Sequence, residues 1–309
     1  QLKRKGLVEQ LRQSDIHGAP LVFQAAASSK IDFLKCVCAK IEHTLGRSEL
    51  RQQLQASSST NWAIDLKKRS IIFHAAKGHN AEVFQAVVDG FDGRGELFQA
   101  FGDRGNGNPL TARDGEEKAE DNDTHRKSWL LLRDHRSETT DLVLGRVEPI
   151  GEGYVVAVDY RGMNVLHIAC RWGCHDIVDK VICEARRQGQ SFIKDLLNSV
   201  DDDGNTPLMH ALRRENLGDL LRVLVDQNDN KSLSKSEQLK LFTEPASRGH
   251  NSTALMHAAY AGPERLEIVR ERIECLYNLH LPSASQPCQD DDGLDLDFAL
   301  GAANEDGEK

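Results

Sequence analysis

The chain has no apolar run approaching the roughly 18 residues that a membrane-spanning helix requires, so no bilayer crossing is expected within it. Positive charge is also in short supply. Lys and Arg number 39 against 48 Asp and Glu, a formal net charge of -9, and nothing draws the chain as a whole onto a phosphate backbone. The seven cysteines are an odd set scattered from Cys36 to Cys288, unlike the dense, even framework of a small secreted protein. They read as reduced intracellular thiols. The opening QLKRKGLVEQLRQ lacks the apolar core of a signal peptide and begins on Gln1 rather than Met. The sequence therefore reads as a fragment or processed chain, with cytoplasmic placement an inference. No P-loop and no G-x-S-x-G elbow occurs.

What is present is 309 residues with 39% hydrophobic content, about two domains' worth by length and enough to bury a core. Charge is uneven along the chain. Residues 290–309 carry eight acidic side chains against Lys309 alone, a net of -7, which leaves only -2 for the 289 residues before them. From Pro282 onward the composition cannot bury enough apolar surface to offset chain ordering, and a disordered acidic tail (282–309) is expected.

Self-similarity organises the rest. DYRGMNVLHIACRWGCHDIVDKVI from Asp159, DDDGNTPLMHALRRENLGDLLRVLV from Asp201 and RGHNSTALMHAAYAGPERLEIVRERI from Arg248 align. DLKKRSIIFHAAKGHNAEVFQAVV from Asp65 follows the same plan, and APLVFQAAASSKIDFLKCV from Ala19 follows it more loosely. An Asp with a Gly three residues later suits a tight turn. Five residues after the Asp stands a small polar residue, Ser70, Asn164 or Thr206, with Thr253 matching it after Arg248; these are helix N-cap types. Pro207 falls in a first helical turn. Ala75, Ala169, Ala211 and Ala258 share one offset from the cap, small where another helix must approach. A Gly such as Gly173 or Gly262 then closes the helix, and a second apolar-periodic run follows (Ile177, Val178, Val181, Ile182; Leu220, Leu221, Leu224, Val225). Neither helix of such a pair can hide its apolar face alone, so the units must stack.

These units resemble ankyrin repeats, whose pattern runs D-x-x-G-x-T-P-L-H-x-A-A-x-x-G-H. DDDGNTPL matches its first half in full, and DYRGMNVLHIACRWG keeps the Asp, Gly, Leu, His, Ala and second Gly. The resemblance implies a mainly α solenoid of helix-turn-helix units and, at His167, hydrogen bonding to a neighbouring unit. Elsewhere the His slot holds Phe73, Met209 or Met256. His74, His210 and His257 lie one place later, where buried, satisfied histidines are expected. The cap positions are 94, 42 and 47 residues apart, against about 33 in the family, so every gap carries an insertion. RSELRQQLQ, SFIKDLLN and SKSEQLKLF each offer a Ser before an apolar-periodic run and predict an extra short helix. The expected organisation is a lead-in helix (1–17), two repeats (18–91), an insertion of mobile loop plus β-hairpin (92–153), three repeats (154–281) and the tail. Within the insertion, residues 102–128 are expected to be mobile, and TDLVLGRVEPIGEGYVVAVDY reads as two strands separated by EPIGEG.

Signals of chemistry are weak. IGEGYVVAV resembles a kinase glycine-rich loop, but no D-F-G and no H-R-D loop accompany it. His167, Cys170, Cys174 and His175 lie close in sequence, yet they share one face only if a helix runs through Gly173; structural cysteines are the expected reading over a zinc site. DDDGN lacks the Gly and Glu of an EF-hand. No cofactor, metal or catalytic group is expected.

Function should then come from surface, and stacked units bind partners on an extended concave face. Hairpin tips and first-helix ends are the positions free to vary. The expected partner-binding set is Tyr160, Arg161, Met163, Arg171, Trp172, Asp202, Asp203, Arg213, Arg214 and Tyr260, rich in the Trp, Tyr and Arg of binding hot spots. The expectation is a non-catalytic interaction scaffold, a monomeric array binding a protein or peptide without general nucleic-acid binding. The alternative is the cytosolic ankyrin array of a larger protein, such as a cation channel of the transient-receptor-potential type.

Overall fold

The computed structural model describes residues 2–54, 65–91 apart from 68, 146–150, 154–226, 233–245 and 252–277. After α1 (Leu2–Arg12), five helix pairs follow in order: α2 (Leu21–Ala26) with α3 (Ile31–Leu45), α5 (Ile71–Lys77) with α6 (Ala81–Phe91), α7 (Val165–Trp172) with α8 (His175–Gln188), α10 (Pro207–Ala211) with α11 (Leu217–Leu221), and α13 (Ala254–Ala261) with α14 (Pro263–Tyr277). Extra helices follow the first, third and fourth pairs: α4 (Arg47–Leu54), α9 (Gln190–Leu197) and α12 (Lys235–Thr243). First helices pack on one another in succession, α2 on α5, α5 on α7, α7 on α10 and α10 on α13. Ala75, Ala169, Ala211 and Ala258 are fully buried along this line, where a larger side chain would force the helices apart.

Each turn into a unit is built by its Asp. The Oδ1 of Asp65 accepts from the backbone N–H groups of Lys67 and Arg69, that of Asp159 from Arg161 and Met163, and that of Asp201 from Asp203 and Asn205. Asp15 does the same for His17 and Ala19, a turn that the Ala19 alignment did not single out. Successive tips are then tied through the backbone: Leu66 N–H donates to His17 O at 2.8 Å, Tyr160 N–H to Lys67 O at 2.9 Å, and Asp202 N–H to Arg161 O at 2.8 Å. The approach is close. A Cβ on Gly162, whose φ is +73°, would lie 2.8 Å from Asp202 Oδ1. A second series of ties runs along the helix-pair turns, with Asn80 Nδ2 donating to Ser29 O and Asn216 Nδ2 to Gly173 O.

The hairpin expected before Asp159 is present as β1 (Arg146–Ile150) and β2 (Tyr154–Val158), paired antiparallel from Arg146 with Val158 to Ile150 with Tyr154. Its turn is shorter than EPIGEG, because Glu148, Pro149 and Ile150 belong to β1. A two-stranded ribbon consists of edges, where Pro is tolerated. Three further expectations are corrected. Ser70 occupies the N-cap of α5 but its side chain makes no cap bond, unlike Asn164, Thr206 and Thr253. Ser48 and Ser191 lie inside α4 and α9 rather than capping them, whereas Ser234 forms a full capping box. The second helix of the fourth unit is not one α-helix: past Leu221 it becomes a π-helical turn over Arg222–Asp226, which still buries Leu224 and Val225. The loop expected at 102–128 and the tail expected from 282 lie outside the described residues.

Candidate functional site

Between the second and third tips lies a cleft of about 160 Å³. The turn at Asp159 delivers Tyr160 and Arg161 to its rim, and the last turn of α7 delivers Arg171 and Trp172. Arg69 and Lys77 come from the preceding unit. The rings and cations are interleaved. Lys77 Nζ stands 4.7 Å from the Trp172 ring centre, and the Arg214 guanidinium approaches the same ring at 5.9 Å. The Tyr160 ring has Lys67 Nζ at 5.6 Å and Arg161 at 5.4 Å. Such contacts hold a cation near an aromatic face without neutralising it. Arg69 is committed to the fold, its Nε and guanidinium NH2 donating to Asp65 at 2.9 and 2.6 Å. Lys67, Lys77, Arg161 and Arg171 have no carboxylate within ion-pair distance among the described residues.

Of the predicted set, Tyr160, Arg161, Met163, Arg171 and Trp172 converge on this cleft. Met163 is corrected: it is 4% exposed, and its sulfur accepts a long contact from Arg171 at 3.5 Å, so it is floor rather than contact surface. Trp172 is half-buried and packs against the core while facing the cleft; its ring also meets His79 edge-on, centroids 6.0 Å apart. Asp202 and Asp203 are exposed on the next tip, and Arg213 is exposed beside His257. Tyr260 stands 95% exposed on α13 and does not line the cleft. Asn205, on a tip expected to be free, is buried because its carbonyl receives the His167 ring nitrogen and its amide reaches Asp201. Lys77 was legible as a first-helix end, but only stacking shows that it faces Trp172 from the preceding unit.

The buried Asp and His side chains of the repeats are occupied in holding the turns. His74 and His210 meet the second carboxylate oxygens of Asp65 and Asp201 at 3.1 and 2.8 Å. Burial alone would raise the Asp65 and Asp201 carboxyls, yet the hydrogen bonds from histidine and backbone, with Arg69 at Asp65, bring both below the ordinary range. His257 is half-buried and meets Ser252 instead. The Cys170 and Cys174 thiols are pushed up by burial, Cys174 to about 11. Thiols so disposed stay protonated and unreactive, although Cys174 Sγ lies 3.2 Å from His79 Nδ1. Among the described residues, no three His, Cys, Asp or Glu side chains converge as a metal site, and no helix is long and apolar enough to cross a membrane.

No protein-family model matches the chain, and no curated protein matches it. Among solved structures it is similar to the ankyrin repeat domain of Bcl-3, described as a unique member of the IkappaB protein family. The likeness is at 15% identity and a TM-score of 0.31, covering 81% of this chain and 97% of that one.

Proposed function

We propose that the chain is a non-catalytic interaction module that binds an acidic, extended segment of a partner protein in the cleft between the tips at Asp65 and Asp159. The observation that carries this reading is the cleft itself. Two aromatic rings are held among Lys67, Lys77, Arg161 and Arg171, none of which has a described carboxylate within ion-pair distance. Guanidinium groups pair with carboxylates through paired N–H donors, and flat rings supply apolar area at little conformational cost. Asp202 and Asp203 on the following tip set a repulsive boundary for an anionic chain running that way, which favours a short acidic stretch over a uniformly anionic polymer.

Selection from a displayed peptide library against the purified chain tests it. The expected consensus interleaves Asp or Glu with aliphatic or aromatic residues, and it should disappear with Tyr160→Ala or Arg171→Glu while melting is unchanged. A selection that yields no consensus even from a chain carrying Asp295→Lys and Asp297→Lys, or the same consensus from both variants, overturns the reading.

A further inference from the structure

Resting on that reading, we propose that the cleft's resident occupant is this chain's own C-terminal segment Leu294, Asp295, Leu296, Asp297 and Phe298, folded back across the tips. The receiving surface has two parts. Ile16, Leu66 and Tyr160 each follow the turn Asp of their units and are exposed by 90%, 75% and 43%. Because the backbone ties Leu66 to His17 and Tyr160 to Lys67, these three apolar side chains occupy equivalent places on consecutive tips. Beside the row stand Lys67, Lys77, Arg161 and Arg171. The surface is therefore an apolar row flanked by cations that have no described carboxylate within ion-pair distance.

The segment has the complementary pattern. In an extended chain, alternate residues point to opposite sides, so Leu294, Leu296 and Phe298 share one face and Asp295 and Asp297 the other. Asp290, Asp291 and Asp292 add charge of the same sign just before it. Charge separates along the sequence in the same sense: the net -7 of residues 290–309 faces a body with nearly balanced charge in which this cleft collects cations.

Reach permits the contact. The last helix, α14, ends at Tyr277, and the residues from there to Leu294 can extend to roughly 50 Å. From α13 back to α5 is three helix-packing steps of about 8–10 Å each, running across rather than along α14, whose full length is about 22 Å. Tethering keeps the segment at an effective concentration of order millimolar, so a weak contact suffices to occupy the cleft. Docking of this kind makes the tail a competitor of any external acidic ligand.

Photo-crosslinking in the full chain decides the matter. Phe298→p-benzoylphenylalanine is irradiated in a mixture of isotopically light and heavy protein, and the crosslinked peptides are identified by mass. The expected result is crosslinking within single molecules to peptides containing Leu66, Tyr160 or Trp172, weakening as salt is raised. Yield should fall by roughly tenfold when Asp295→Lys and Asp297→Lys are introduced, as reversing charges at a close contact implies, and equally with Arg161→Asp and Arg171→Asp. Combining the two reversed pairs should restore it. Crosslinks elsewhere on the chain, or yields indifferent to charge reversal, overturn the proposal. Crosslinks that join light to heavy chains also overturn it, because the occupant is then a second copy. A library consensus without a Phe298 crosslink leaves the partner reading standing and removes the fold-back. A crosslink in the intact chain, with no consensus even from the chain carrying Asp295→Lys and Asp297→Lys, does the reverse.

Discussion

His167 shows how a single side chain is fixed by its surroundings. It is fully buried; its Nδ1 accepts from the Asn164 N–H at 3.3 Å, and its Nε2 stands 3.1 Å from the Asn205 carbonyl. A carbonyl can only accept, so the ring is the neutral Nε2–H form. A second proton would set Nδ1–H against Asn164 N–H. Burial, and then the nearby His210 ring at 5.8 Å, push the His167 pKa below its ordinary 6.5. The unfolded chain therefore takes up a proton near pH 6.5 that the folded chain refuses, so this contribution to stability is complete above that pH and drains away below it. Asp65 and Asp201 are also lowered, and their contributions are lost only as pH falls below about 4. Burial raises Asp159 instead, which works against stability at neutral pH and eases on acidification. The urea midpoint should fall between pH 7.5 and pH 5, with a smaller fall in His167→Gln; half-buried His257, also lowered by burial, leaves a residual slope. Identical slopes in the two proteins would show that His167 is not the titrating group. The sequence pattern named His167 as the neighbour-bonding histidine, but it could not show that its acceptor is a main-chain oxygen 38 residues away.

At the scale of the element, the same cap position behaves differently from unit to unit. Thr206 Oγ1 accepts from the Met209 N–H, whereas Ser70 makes no such bond. Thr206→Ala should cost about 1 kcal/mol, and Ser70→Ala should change chemical denaturation little; equal losses would mean that the cap at Thr206 contributes nothing special. Ala169→Leu should cost roughly 1 to 3 kcal/mol by forcing α7 from α5 and α10, and an unchanged melting temperature would contradict this register of packed helices. The Asp-Gly turns, buried alanines and second-helix stripes were legible because each is a local pattern with a local cause. The π-helical turn at Arg222, the helical placement of Ser48 and Ser191 and the entry of Pro149 into β1 were not. None of these carries a local pattern of the kind that marks a turn, a cap or an apolar stripe. The cleft was half legible for the same reason: Tyr160, Arg161, Arg171 and Trp172 lie on one unit, while Lys77 joins them only through stacking.

Across the whole molecule, the long gap between the second and third units does not interrupt the stack. Tyr160 N–H reaches Lys67 O, α5 packs on α7, and Lys180 Nζ donates to Gln85 Oε1 between α8 and α6. Closing a long connection costs little more than closing a short one, since the entropy grows only with the logarithm of length. The interface, by contrast, buries Ile71, Phe73, Ala75, Leu166 and Ala169, and each large apolar side chain removed from water contributes about 1.5 to 3 kcal/mol before ordering costs are met. Stability in such an array is a sum of units and neighbour interfaces, so continuity should depend on this contact and not on the covalent connection. A specific protease site placed within residues 92–145 tests this directly. After cleavage, the two fragments should elute together as one species in native size-exclusion chromatography and unfold in a single urea transition seen by both tryptophan fluorescence and helical circular dichroism. Ala75→Leu, which crowds α5 against α7, should make the cleaved fragments separate at lower urea than the unsubstituted pair. Fragments that part in native buffer would show that the second and third units are held together by the chain between them and not by the interface.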